Sequence, residues 1–253
     1  MKKLLIIFLC SFSLSAFSQN DSLYAMKNGV IIHSFSIDSN HIDSIIFYRP
    51  NITTPSITDA DGNVYTSLTI GTQEWMSENL RTTKYSDGTP IPNVTDETEW
   101  YNDTTGAWCH YDNDNKYDTI YGKLYNFYAV ETGKLCPTGW HVPTFYEWNV
   151  LKTYLMEKGH REGTVLKSTL GWNDHIGKSG NGTDNYGWSG LPGGRRNYSG
   201  GFSAIGEIGY WWSSTAAIDL NMAEITSITN SRGGLYGHLD FNRLGASVRC
   251  LRD

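Results

Sequence analysis

Apolar residues recur at Trp148, Leu151, Tyr154 and Leu155, a spacing of three and four that places them on one face of a helix. Thr144 precedes that run, Glu147 follows three residues later, and Pro143 prevents an earlier start, so the chain spells a capping box at the helix entrance. Leu124, Tyr125, Tyr128 and Ala129 repeat the spacing and predict a second helix over residues 121–131. Elsewhere the pattern is shorter and suits strands. Leu23 to Lys27 and Val30 to Phe35 flank Asn28-Gly29, a pair that tolerates the positive φ of a two-residue hairpin turn. A third apolar strand is predicted over residues 42–48. Hairpin material over residues 64–71 leads into Gln73 to Met76, and further strands are predicted over residues 209–214, 223–228 and 245–251. Helices followed by short antiparallel strands make an α+β pattern.

The first eighteen residues form a separate pattern. A basic start, Met1-Lys2-Lys3, an apolar run from Leu4 to Leu9 and small residues up to Ser18 read as a secretory signal over residues 1–18. The expected organisation is then a small β module over residues 19–50, an extended linker over 51–58 and a main domain over 59–253. Cys10 follows Leu9 rather than the small residue of a lipoprotein signal, which disfavours a lipid anchor. No later apolar run reaches membrane length, so no integral span is expected once the signal is removed.

Composition narrows the function classes. Nine Trp, sixteen Tyr and 26 Gly in 253 residues suit a loop-rich extracellular domain pinned by aromatic side chains. Losing Lys2 and Lys3 leaves 18 basic against 26 acidic residues and a formal charge of −8. Nucleic acid, which demands a basic face, is excluded as a partner on this balance. Three cysteines remain beyond the leader: Cys109, Cys136 and Cys250. An oxidising compartment predicts one bridge and one spare thiol. Three pairings are open, and Cys136 with Cys250 is favoured because both flank apparent core elements.

Asp112, Asp114 and Asp118 offer oxygen ligands at short intervals in a polar loop, which makes calcium the candidate cofactor. The run lacks the central Gly and distal Glu of an EF-hand, and a solvated acidic turn competes with the metal reading. Trp188, Tyr186, Tyr198, Phe202, Trp211 and Trp212 are candidates for an aromatic platform on which sugar rings stack. Alternation along a strand predicts one of Trp211 and Trp212 outward and the other inward. Arg195 and Arg196 could grip carboxylates bidentately or form internal ion pairs. None of the seven His falls in a zinc-binding spacing, and no nucleophile elbow or phosphate loop occurs. Cys109 and His110 are adjacent, which sends their side chains to opposite faces of a strand and suits thiol activation poorly.

Six separated motifs occur in order: Asn79-Leu80-Arg81-Thr82-Thr83-Lys84-Tyr85, Gly122-Lys123-Leu124-Tyr125-Asn126-Phe127-Tyr128-Ala129-Val130, Cys136-Pro137-Thr138-Gly139-Trp140-His141-Val142-Pro143, Leu191-Pro192-Gly193-Gly194-Arg195, Tyr210-Trp211-Trp212-Ser213-Ser214 and Ser247-Val248-Arg249-Cys250. From about Asp59 to the C-terminus the chain resembles the Fibrobacter succinogenes major paralogous domain, a family of exported bacterial proteins. The resemblance implies a relation to the C-type-lectin-like fold, with two helices, small antiparallel sheets and meeting terminal strands, and a more distant one to the formylglycine-generating, sulfatase-modifying group. It also implies a disulfide tying the helix region to the last strand, a role that Cys136 and Cys250 fit. Trp172-Asn173-Asp174 mimics the tripeptide that carries calcium and sugar ligands in lectins, but sits too early and lacks the companion Glu-Pro-Asn or Gln-Pro-Asp loop. The hairpin module resembles short leader modules of exported Bacteroidetes proteins. No defined activity follows from the family.

The resulting expectation is an exported, non-catalytic binding or adhesion protein at the cell surface, outside the cell or in the periplasm, whose partner is a polysaccharide or a surface protein. A formylglycine-generating-type oxidoreductase, which would need a pair of redox cysteines, and a structural subunit of a surface assembly are the alternatives.

Overall fold

The computed structural model describes residues 6–9, 12–15, 22–27, 30–36, 57–218 and 221–253, with side chains from residue 57 onward. The chain divides into two units, residues 1–53 and 54–253. In the first, β1 (Ile6–Leu9) and β2 (Phe12–Ser15) pair antiparallel within the stretch read as a signal, and β3 (Ser22–Lys27) pairs with β4 (Val30–Ser36). Lys27 lies opposite Val30, so the hairpin closes across Asn28-Gly29 as its turn chemistry predicts. The expected strand over residues 42–48 and the linker over 51–56 lie outside the described residues.

The second unit is mixed α+β. It opens with β5 (Ile57–Thr58), β6 (Val64–Tyr65), β7 (Ser67–Ile70) and β8 (Gln73–Met76), then α1 (Glu97–Asn102), β9 (Trp108–Cys109), α2 (Asp118–Tyr121), β10 (Leu124–Tyr125) and α3 (Phe127–Val130). Next come β11 (Trp140–His141), α4 (Phe145–Glu157), α5 (Glu162–Leu166), β12 (Gly193–Arg196), β13 (Phe202–Ile205), β14 (Ile208–Ala216), β15 (Met222–Thr229), β16 (Tyr236–Phe241) and β17 (Leu251–Arg252). One antiparallel sheet runs β11-β17-β8-β7, and a five-stranded sheet runs β13-β12-β14-β15-β16 with a parallel contact between β12 and β14.

The helix entered through Thr144 is present, and both halves of its capping box form. Trp148, Leu151 and Leu155 are its buried residues. The second predicted helix is not continuous. Asp118–Tyr121 stops at Gly122, whose φ of +74° ends the turn and whose missing Cβ would stand 2.7 Å from the Leu80 carbonyl oxygen. Leu124 and Tyr125 then pair with Cys109 and Trp108, and Asn126 caps a new turn at Phe127. Helical spacing over residues 121–131 is thus accounted for by two short turns joined by a strand, since tertiary pairing outweighs local periodicity.

The predicted closing strand over residues 245–251 is also corrected, because only Leu251–Arg252 joins a ladder. Residues 245–250 instead serve different partners in succession. Gly245 exchanges hydrogen bonds with Arg196 and Ala246 with Tyr125, while Trp212 donates to the Ser247 carbonyl, Leu80 to Val248 and Met76 to Cys250. A segment that changes partner at almost every residue cannot keep one register. It can, however, sew four parts of the chain together.

Two buried devices hold that seam. Cys136 and Cys250 form a disulfide, closing a separation of 114 residues, worth on the order of 4 to 5 kcal/mol in the chain-entropy view. Beside it lies the fully buried guanidinium of Arg249. Its Nε and Nη2 donate to Asn79 Oδ1 at 3.2 and 2.8 Å, its Nη1 donates to the Trp188 carbonyl, and its plane lies 3.9 Å from the Trp188 ring centroid. Trp211 Nε1 adds a third bond to Asn79 Oδ1 at 2.9 Å, and Asn79 Nδ2 donates to the Tyr121 carbonyl at 2.8 Å. Burial pulls the guanidinium down to about 9, with Glu78 and Asp184 opposing at longer range, so it remains a cation at neutral pH.

Removing the acceptor of a buried cation costs about 3 to 5 kcal/mol, because the charge is left uncompensated. Asn79→Ala is therefore expected to lower the unfolding free energy by that amount in a denaturant titration, and Asn79→Asp, which restores an acceptor beside Arg249, by less. Equal stability of Asn79→Ala and the parent protein would contradict this account.

Candidate functional site

The expected tryptophan platform is overturned. Trp188, Trp211 and Trp212 are all fully buried. The alternation along β14 does hold: Trp211 packs with Trp75, Trp148 and Trp188 in one core cluster, and Trp212 with Phe127 and Tyr125 in another. Neither indole points outward because β14 lies inside its sheet and carries packed residues on both faces. Their ring nitrogens are satisfied internally, Trp211 by Asn79 and Trp212 by the Tyr125 carbonyl at 2.7 Å. Arg195 bonds Asp240 at 3.1 Å and lies over the Tyr210 ring, so its charge is already matched. Arg196 is buried, donating to the carbonyls of Gly200, Val94, Thr95 and Asp96 and stacking on Trp100. Tyr186 and Phe202 are partly buried. Of the candidates read from sequence, Tyr198 is the one that stands well exposed, at 47%.

The acidic loop does not gather into one ligand set. Asp112 sits in the left-handed region with φ of 52°, Asp114 binds the Lys116 ammonium at 2.6 Å, and Asp118 binds the buried Lys123 at 2.7 Å. Each carboxylate has its own local task, a turn or an ion pair. Among the described residues no three His, Cys, Asp or Glu side chains converge as a metal would require. Trp172 is buried, its Nε1 donating to Ser168 Oγ and the Gly190 carbonyl, which makes it a packing residue.

A different set of rings does converge. Asp96 caps α1 by accepting from the Glu99 amide, and Trp100 anchors the helix by donating from Nε1 to the Arg243 carbonyl at 2.6 Å. With Trp100 turned inward, its neighbour Tyr101 faces solvent at 47% exposure. Asn126 caps α3 and so sets Tyr128. Tyr198 rides a turn after β12, closed by the Asn197 amide to the Gly201 carbonyl and the Gly200 amide to the Asn197 carbonyl. Phe241, 44% exposed, ends β16, where the Leu244 amide bonds back to its carbonyl. Asn242 is pinned by its main chain, donating to the Asn221 carbonyl and accepting from the Phe127 amide.

These elements enclose an open cleft of about 470 Å³ lined by Tyr101, Thr104, Tyr128, Tyr198, Asn221, Phe241, Asn242 and Arg243. Tyr198 and Phe241 meet with centroids 4.8 Å apart and planes inclined by 56°, and the Arg243 guanidinium lies 5.2 Å from the Tyr101 centroid. The Asn242 Oδ1 is buried beneath it with no hydrogen-bond partner among the described residues. Partly exposed rings at several inclinations, beside amides and a cation, form a surface that can stack the apolar face of a flat ligand while bonding its hydroxyls. The sequence alone did not assemble this group, because its members come from five separate stretches. A legible trace existed in Phe241-Asn242-Arg243, an aromatic, an amide and a cation immediately after a strand.

A groove of about 590 Å³ runs between the β7–β8 turn and α4, where the Tyr154 ring packs against Gly71 and Tyr146 is exposed on the helix surface. His141 is clamped between two carboxylates: Nδ1 to Asp253 at 2.8 Å and Nε2 to Glu147 at 3.0 Å. Glu147 is also the capping-box acceptor for Thr144, so this cluster is a tie between β11, α4 and the chain end. Burial opposes the imidazolium, but Asp253 and then Glu147 overcome it and hold His141 above its ordinary 6.5.

Because the folded value exceeds the unfolded one, the stabilisation from His141 is complete below pH 6.5 and fades as pH rises through the folded value. The difference in melting temperature between the parent protein and His141→Gln is expected to be largest below pH 6.5 and to shrink at alkaline pH. A difference that grows with pH would contradict the assignment.

Comparison with protein families matches residues 68–252 to the Fibrobacter succinogenes major domain. No curated protein and no solved structure matches the chain.

Proposed function

The chain belongs to the Fibrobacter succinogenes major domain family, and from that premise we propose that it is an exported, non-catalytic binding protein that holds saccharide in the cleft between Tyr101, Tyr128, Tyr198 and Phe241. The observation that carries this reading is the convergence of four partly exposed rings with Asn221, Asn242 and Arg243 around one opening. Sugars present flat apolar faces flanked by hydroxyls, and rings with neighbouring amides complement both. The cleft replaces the tryptophan platform expected from sequence and retains Tyr198 from it. The proposal includes a C-type-lectin-like architecture, supported by the last strand meeting β8, the bond from Cys136 to Cys250 and the long loops between the sheets. Calcium has no part in it.

The oxidoreductase alternative needs two neighbouring reactive thiols. Cys136 and Cys250 are joined, and Cys109 is the free cysteine among the described residues. Burial pushes the Cys109 thiol up to about 12, against a smaller opposing pull from Arg196, which leaves almost no thiolate at neutral pH. That favours the binding reading.

Tyr198→Ala and Phe241→Ala should each weaken retention on a responsive glycan array by about tenfold, roughly 1.4 kcal/mol, without lowering the melting temperature appreciably. Tyr146→Ala, in the other groove, should leave retention unchanged. Unaltered retention in both cleft variants, at unaltered folding, would remove the proposal.

A further inference from the structure

Arg243 says more about the ligand than the rings do. Its side chain makes no ion pair or hydrogen bond among the described residues and lies over the Tyr101 ring, 5.2 Å from the centroid. Its neighbours Arg195 and Arg196 illustrate the usual fate of such a group, the first matched by Asp240 and the second saturated by main-chain carbonyls. Lying over a ring employs the face of a guanidinium and leaves its in-plane N–H donors open, a fork that fits a carboxylate bidentately. The Asn221 side chain, exposed on the same opening, offers an amide to a sugar hydroxyl. The Arg243 carbonyl is fixed by Trp100 and the Asn242 main chain by Asn221 and Phe127, so the Arg243 side chain projects from a braced turn.

Building on the saccharide reading above, we infer that the cleft selects acidic sugars, with Arg243 gripping the carboxylate of a uronate residue while the surrounding rings stack its pyranose face and the Asn221 amide bonds an adjacent hydroxyl. A neutral sugar satisfies the rings and the amide but leaves the guanidinium unmatched. A carboxylate satisfies all three. Phe241 and Tyr101 line the same opening as Arg243, so charge and stacking surfaces serve one ligand.

The test compares the full chain on immobilised polygalacturonate, alginate and hyaluronan with the methyl-esterified form of each, which keeps the backbone and removes the charge. Retention on at least one acid polymer is expected to exceed that on its ester by tenfold or more. Arg243→Gln should abolish that preference at an unchanged melting temperature, and Arg243→Lys should retain part of it. Equal retention of acid and ester, or a preference that survives Arg243→Gln, overturns the inference and leaves the saccharide reading intact. Retention of none of these polymers overturns the inference too, and the saccharide reading then rests on whether Tyr198→Ala and Phe241→Ala weaken retention of neutral glycans.

Discussion

A guanidinium sealed in the interior without a carboxylate beside it is the constraint on which the second unit depends. Arg249 has no exposed surface, and its charge is met by one amide oxygen, one main-chain carbonyl and one indole face. Such a group is tolerated only where its surroundings are fixed, since a displaced acceptor leaves a bare charge in a medium of low dielectric. Asn79 Oδ1 therefore has to stay where Arg249 and Trp211 both reach it, across sequence separations of 170 and 132 residues. An ion pair in this place would have spread the charge more widely. The amide hub concentrates it on one side chain and so ties the start, middle and end of the domain to a single point.

Everything near that point is consistent with it. Gly122 must lack a side chain to pass the Leu80 carbonyl, and Tyr121 just before it accepts the other half of the Asn79 amide. The disulfide at Cys250 anchors the residue next to Arg249, and the Met76 and Leu80 amides bond to the carbonyls on either side of it. The motifs around Asn79, Gly122, Trp211 and Arg249 that gave the chain its family resemblance are thus largely one physical object, a polar core with its supports. This explains why the family is recognisable while its activity is not. Those motif residues build the frame, and of the cleft residues Tyr128 lies within a motif while Tyr101, Tyr198, Phe241 and Arg243 lie outside them.

The same division decides what was legible in the sequence. Local chemistry read well: the Thr144 cap, the hairpin around Asn28-Gly29, the β7–β8 hairpin and the strands beneath β14 and β15 are set by residues close to one another. The Cys136–Cys250 bridge is the pairing favoured among three because both cysteines flank core elements. Where tertiary partners decide, the reading failed. Residues 121–131 have helical spacing but are split by the approach of Leu80 at Gly122, and residues 245–250 look like a strand but serve several partners. Alternation predicts one of Trp211 and Trp212 outward because a strand has two faces; that both faces are covered depends on sheet order, which periodicity does not encode. Arg195 likewise could not be known to face Asp240, nor His141 to meet Asp253.

The central claim is that a rigid frame, closed around Arg249, presents the ring-lined cleft as the place where ligand sits. Tyrosine-ring NMR spectra recorded with and without a glycan retained by the protein test it most directly. The account predicts that the ring signals of Tyr101, Tyr128 and Tyr198 shift on binding while those of the buried Tyr65 and Tyr125 and of Tyr146 and Tyr154 stay in place. Shifts confined to Tyr146 and Tyr154, on the groove beside α4, would contradict it.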